Sequence, residues 1–175
     1  ILDRGTDFLY DESLKIPLFF YGNNLKFHHS IPNLVRHVDI FSTILDIIGI
    51  KYSSSLVDGR SLLPLFNDEK ISELPAYIEN GSRKISKLGS LIGLRTSEYK
   101  FLCSRTNTSE NQFLFDLNID PNEEKNIAKE NPSICKKMLQ IILDMRQDFP
   151  QIPKSTLKSE DAKFIEDELK KMGYI

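Results

Sequence analysis

The sequence predicts an α/β protein: the end of an α/β layer, followed by a small four-stranded antiparallel sheet with a packed helix. Three observations carry this expectation. A short continuous apolar run, residues 16–21, precedes a strongly apolar helical stretch, residues 36–50. From Pro75 the pattern changes to short apolar runs separated by turn residues. A proline-initiated amphipathic stretch from Pro132 then supplies a helix to cover them.

Taken in order, Ile1 and Leu2 read as the tail of a buried strand, and residues 3–13 as a polar, irregular stretch with Gly5 at a turn. Residues 16–21, Ile-Pro-Leu-Phe-Phe-Tyr, have the length and aromatic content of a buried strand, with Pro17 near its start. Residues 23–33 read as a loop. In the helix at 36–50, Asp39 is placed to cap the first turn. Ile40, Phe41, Ile44, Leu45, Ile47 and Ile48 recur at spacings of three and four, more than one stripe needs, so packing on more than one side is expected. Gly49 suits the left-handed position past the helix end. Ser53 to Ser55 and Asp58-Gly59 are turn chemistry, and Ser61 caps a short helix over 62–66.

Residues 76–79, 90–96, 99–104 and 113–117 read as four strands. Ser97-Glu98 joins the middle two as a hairpin, and the short connections make neighbours antiparallel. Ile134, Met138, Ile141, Ile142 and Met145 give the following helix its apolar face. A linker with two prolines, residues 149–156, leads to a terminal helix that Ser159 opens and Gly173 ends. The expected division is therefore residues 1–74, 75–150 and 151–175.

With 175 residues, 40% hydrophobic and 27% charged, the composition is that of an ordinary globular chain. A formal net charge of -2 gives no reason to expect nucleic acid as a partner. No apolar run is long enough for a transmembrane segment. The chain opens Ile1-Leu2-Asp3-Arg4-Gly5 without Met and reads as part of something longer.

Little in it composes an active site. Cys103 and Cys135 read as small buried hydrophobes. His28-His29 and His37 lack the spacing of a metal pair, and His37 reads as a neutral structural histidine beside a helix start. Asp11 and Glu12 are neighbouring carboxylates that do not converge on one reacting group. Asp58-Gly59-Arg60 reads as a turn with a surface or interdomain ion pair. Asp3-Arg4-Gly5-Thr6 is the best candidate for chemistry, because open α/β sheets place ligands at loops after strand ends. There Asp3 suits a hard cation and Arg4 an oxyanion.

A series of stretches resembles the C-terminal part of the sulfatase family, within the alkaline phosphatase-like superfamily. Residues 9–22 are similar to that family's Tyr-Glu-Glu-Ser-(basic)-Val-Pro strand, and residues 37–50 to its valine-aspartate, threonine-leucine-leucine, glycine helix. The family usually has Pro where Ser42 stands. Residues 58–65 follow in place, residues 96–101 match a hairpin carrying a Tyr-Lys pair, and residues 115–128 match the tyrosine-aspartate-leucine and aspartate-proline block. Residues 169–175 resemble a common sulfatase terminus.

The resemblance implies the end of an alkaline phosphatase-like sandwich plus the small C-terminal domain. It also implies hydrolysis of sulfate esters by a formylglycine nucleophile, with calcium held by aspartates in the parent enzyme. Neither cysteine lies in the formylglycine motif, so the nucleophile is expected in an upstream catalytic domain, and the chain is expected to be inactive alone. The tripeptide at 3–5 has two placements. In one, Asp3 is a calcium ligand. In the other, Arg4 contacts the sulfate or the leaving oxygen, as the basic residue of a Lys-Gly-Thr or His-Gly-Thr segment does. Two alternatives follow: a phosphate or phosphonate ester substrate, as elsewhere in the superfamily, or a non-catalytic interaction domain.

Overall fold

Residues 9–22, 30–80, 89–147 and 170 are described by the structure, a computed structural model. The chain divides into two units, Ile1–Asp144 and Met145–Ile175, and the first contains the elements that follow, apart from the last three residues of the final helix. Helix α1 is a single turn, Asp11–Leu14. Helix α2 spans Asp39–Ile47, and a 3-10 turn at Ser54–Leu56 and the short helix α3, Leu63–Phe66, follow it. Strands β1 (Ala76–Glu79), β2 (Leu91–Arg95), β3 (Tyr99–Ser104) and β4 (Phe113–Asp116) form one antiparallel sheet in the order β1-β2-β3-β4. Helix α4 occupies Pro132–Gln147.

The sheet follows the expected strands closely, because its connections are local. Arg95 pairs with Lys100 across the hairpin. The Thr96 N–H donates to the Tyr99 carbonyl at 2.8 Å, and the Thr96 hydroxyl accepts from the Tyr99 N–H at 2.9 Å. Both faces of the sheet are covered. Ile92, Leu94, Phe101, Cys103 and Leu114 are fully buried on one face. On the other, Leu91, Leu102 and Phe115 pack with Leu9 and Tyr10, and the Tyr10 and Phe115 rings lie 6.4 Å apart at 49°. Helix α4 buries Cys135, Met138 and Ile142 from its apolar side.

The end of α2 also follows expectation. Gly49 takes φ +74°, its N–H donates to the Asp46 carbonyl, and Ile50 donates to Leu45. This doubly bonded left-handed stop satisfies carbonyls the helix leaves open.

Three expectations need correction. Residues 16–21 form no helix or strand and pair with no strand among the described residues. Phe19 is 85% exposed and Tyr21 99%, and Phe20 alone is partly covered, its ring 5.1 Å from that of Phe66. A run patterned for burial on both faces lacks its neighbours here. Second, Asp39 is the first residue of α2 rather than its cap, since Val38 holds the cap position without a side-chain hydrogen bond. Its carboxylate turns back to the preceding segment instead. Third, α2 is not packed on several sides by the described residues. It buries Asp39, Ser42 and Thr43 and leaves Phe41, Ile44, Ile47 and Ile48 exposed.

Candidate functional site

Two clusters of charged and polar side chains are built into the described residues. The first secures α2. Asp39 is 1% exposed. It accepts from the Arg36 N–H at 2.9 Å, from Arg36 Nε at 3.2 Å and Nη2 at 2.7 Å, and from the Arg60 N–H at 3.0 Å. Burial pushes this carboxyl up, but the Arg36 side-chain hydrogen bonds, the two backbone N–H groups and the Arg36 charge outweigh it and hold the group below its usual value. Thr43 Oγ1 donates to the Asp39 carbonyl at 2.6 Å and accepts from the Leu62 N–H at 2.9 Å, while Ser42 Oγ donates to the Gly59 carbonyl at 2.8 Å. A Cβ on Gly59 would stand 1.9 Å from the Val38 carbonyl oxygen, so only glycine permits this approach. The 58–60 turn thus contributes backbone contacts to Asp39 and Ser42.

The second cluster joins three distant segments. Lys100, on β3, is wholly buried. Its Nζ lies 2.5 Å from Asp11 Oδ1, 2.5 Å from Glu123 Oε1, and donates to the Leu9 carbonyl at 3.1 Å. Glu123 Oε2 accepts from the Asp11 N–H at 2.7 Å, and Arg95 Nη2 donates to Asp11 Oδ2 at 2.9 Å. Lys15 Nζ reaches the same Oδ2 at 3.0 Å from the solvent side. The two carboxylate oxygens that face Lys100 have no hydrogen-bond partner beyond that ammonium. The ammonium thus has one hydrogen bond and two carboxylate oxygens at ion-pair distance, and such pairing is the condition under which a buried cation is tolerated.

The 120–125 turn is shaped to aim Glu123 inward. Asp120 accepts from the Glu124 and Lys125 N–H groups through its two carboxylate oxygens, and its carbonyl accepts from the Glu123 N–H at 3.1 Å. Glu123 itself takes φ +56°, a left-handed conformation that costs a non-glycine residue free energy.

Burial also pushes Asp11 up. The hydrogen bonds from Arg95 and Lys100, the Lys100 charge and the Lys15 contact overcome this and hold the carboxyl far below the usual carboxylate range. A depressed folded value means the contribution to stability is complete above the unfolded carboxyl value, near ~3.9, and is lost as pH falls below it. The stability difference between wild type and Asp11→Asn is therefore expected to stay level from about pH 8 to about pH 5 and to shrink only below about pH 4. Urea midpoints across that range would read it.

Asp3 and Arg4 lie outside the described residues, as do His28 and His29. His37 is exposed. Cys103 and Cys135 are buried, as expected, and burial raises the Cys135 thiol above its usual value. Among the described residues no three His, Cys, Asp or Glu side chains group as a metal site, and no helix is long and apolar enough to cross a membrane. The Asp11–Lys100–Glu123 cluster was not legible in the sequence. Its only trace was a lysine inside an apolar strand, Tyr-Lys-Phe-Leu-Cys.

Comparison with known proteins places the chain. A family described as N-sulphoglucosamine sulphohydrolase, C-terminal, matches residues 4–151. Arylsulfatase K of Mus musculus is 31% identical over 163 residues, which cover 90% of this chain and 29% of that protein. Arylsulfatase K of Canis lupus familiaris is 32% identical over 163 residues, 90% of this chain and 30% of its own length. The chain therefore spans about 30% of these relatives. Among solved structures, a putative sulfatase from Bacteroides thetaiotaomicron superposes with TM-score 0.51 at 25% identity, covering 61% of this chain and 23% of that one.

Proposed function

This chain belongs to the N-sulphoglucosamine sulphohydrolase C-terminal family, and from that premise we propose that it supplies the C-terminal wall of a sulfate-ester hydrolase. The nucleophile and most metal ligands then reside in an upstream α/β body of the same parent protein. The observation that carries this reading is the inversion of α2. Its polar side chains are fixed inward by Arg36, Gly59 and Leu62, so the helix has no alternative rotation, and its apolar side faces out. Residues 16–21, whose Phe20 ring lies 5.1 Å from that of Phe66 on α3, present a mostly apolar segment that pairs with no strand among the described residues. An exposed face of this kind requires a cover. A strand and a helix patterned for burial suit the edge of a larger parallel sheet, and about 70% of the relatives' own length lies outside the match.

Within that body, Arg4 is the residue proposed to contact the ester. Its guanidinium presents fixed paired donors to a sulfate oxygen, and its permanent charge fits charge stabilisation rather than proton donation near neutral pH. Asp3 is the alternative contribution, as one carboxylate ligand of a calcium ion. The described residues offer no group that fits such an ion, so the remaining calcium ligands are assigned to the upstream body, where a bound ion would neutralise ester oxygens.

Assay of the intact protein against an aryl sulfate and the matching aryl phosphate tests the reading. Preferential turnover of the sulfate is expected, with Arg4→Ala lowering kcat/KM by about 10²-fold. Preferential turnover of the phosphate would replace the substrate class. Full activity in Arg4→Ala would remove Arg4 from the site.

A further inference from the structure

The Lys100 network does more than the fold requires. An apolar pair at the same place fills the same volume without desolvating four charges, and such replacements are often neutral or stabilising. Retaining Lys100, Asp11, Glu123 and Arg95, together with a strained backbone at Glu123, adds geometric definition instead. The ammonium donates to the Leu9 carbonyl and pairs with the Asp11 and Glu123 carboxylates, and Glu123 accepts in turn from the Asp11 backbone. A shift of the 9–11 segment along the sheet by one residue would break three of these contacts at once, those of the Leu9 carbonyl, the Asp11 carboxylate and the Asp11 N–H. The apolar contacts of Leu9 and Tyr10 with Leu102 and Phe115 are non-directional and would tolerate such a shift far better.

We propose that the Lys100–Asp11–Glu123 network is a polar key that fixes one seating of residues 9–15 on the small sheet, and that Lys100 and Glu123 are positioning residues for the hydrolase. The inference rests on the proposed function, because the 9–15 segment runs directly into residues 16–21, the stretch assigned to the catalytic α/β body. The small sheet and that body are then held in register by charge geometry, and the apolar contacts supply cohesion. Asp11, held ionised well below neutral pH by Arg95, Lys100 and Lys15, keeps the key engaged in acidic as well as neutral surroundings. The charged groups facing it are Lys15 from its own helix, Arg95 and Lys100 from the sheet, and Glu123 from the 120–125 turn.

The test uses the intact protein and an apolar or neutral replacement of the whole key, Asp11→Asn with Lys100→Met and Glu123→Gln. The triple variant removes the buried ammonium and both carboxylates together and leaves Arg95, whose side chain is 13% exposed, on the Thr96 carbonyl, so its Tm is expected to fall less than that of Lys100→Met alone. The Asp11 amide is expected to exchange at least tenfold faster, and kcat for an aryl sulfate to fall at least tenfold with KM within twofold. Unchanged exchange and unchanged kcat at normal Tm would overturn the proposal. A loss of kcat that tracks the loss of Tm across temperatures would also overturn it, by reducing the network to a stability element. If the triple variant does not fold, Glu123→Gln alone, which leaves one side-chain oxygen for the two donors that Glu123 serves, is read in the same way, with a threefold loss of kcat expected and none contradicting. A wild type that turns over no sulfate ester defeats the proposed function, while the Asp11 exchange comparison still decides whether the key sets the seating.

Discussion

Lys100→Met alone is expected to destabilise the intact protein by about 3–5 kcal/mol, the usual effect of removing one member of a buried ion cluster. The reason lies in what stays behind. Asp11 and Glu123 are 8% and 4% exposed, and the oxygens they turn to Lys100 have no other hydrogen-bond partner. Without the ammonium, two carboxylates would share a small buried volume, and one must take up a proton or draw in water. The Leu9 carbonyl also loses the Lys100 donor. Arg95 offsets part of the cost, because its Nη2 remains on Asp11 at 2.9 Å. Denaturant unfolding followed by fluorescence would measure the loss. A change below about 1 kcal/mol would mean that water already shares this cluster.

The second large effect concerns the outward face of α2. Phe41→Asp or Ile44→Asp is expected to lower the stability of the intact protein by several kcal/mol, on the order of the cost of burying an unpaired charge. Phe41 is 59% and Ile44 45% exposed in the residues described, so the described chain alone gives no reason for such a loss. Ile119 supplies the control. It is 81% exposed and lies on the turn after β4, outside α2 and residues 16–21, so Ile119→Asp is expected to stay within about 0.5 kcal/mol of wild type. Equal behaviour at Ile44 and Ile119 would contradict the covered face. A change in oligomeric state on substituting Phe41, without a change in stability, would assign the face to a second copy.

Local physics explains which features were legible in the sequence. The four strands and α4 were readable because alternation, Ser97-Glu98 and Pro132 act over a few residues. The Gly49 stop was readable for the same reason. The composition of residues 16–21 points to a buried strand, but pairing is not a property of a segment's composition alone. The periodicity of α2 located an apolar face and could not say which side of the helix the rest of the chain would cover. Asp39 was taken as a cap because carboxylates favour helix starts, and Arg36 and the Arg60 backbone competed successfully for it.

The key was illegible for a different reason. Lys100, Asp11 and Glu123 lie on separate segments, and the 120–125 turn that aims Glu123 inward depends on an unfavourable φ that no propensity rule favours. Asp11 and Glu12 looked alike as neighbouring acids. In the structure one is buried against Arg95 and Lys100 and the other exposed. The resemblance did place Lys100 in a Tyr-Lys hairpin, without saying what the lysine meets.

Hydrogen exchange of the intact protein at residues 18–21 tests the central claim most directly. If these residues form an inner strand of a larger sulfatase sheet, the Leu18, Phe19, Phe20 and Tyr21 amides are expected to exchange about as slowly as those of β3, whose side chains from Lys100 to Cys103 are fully buried. Exchange at the rate of an open peptide, with β3 still protected, would contradict the account and leave the apolar face uncovered.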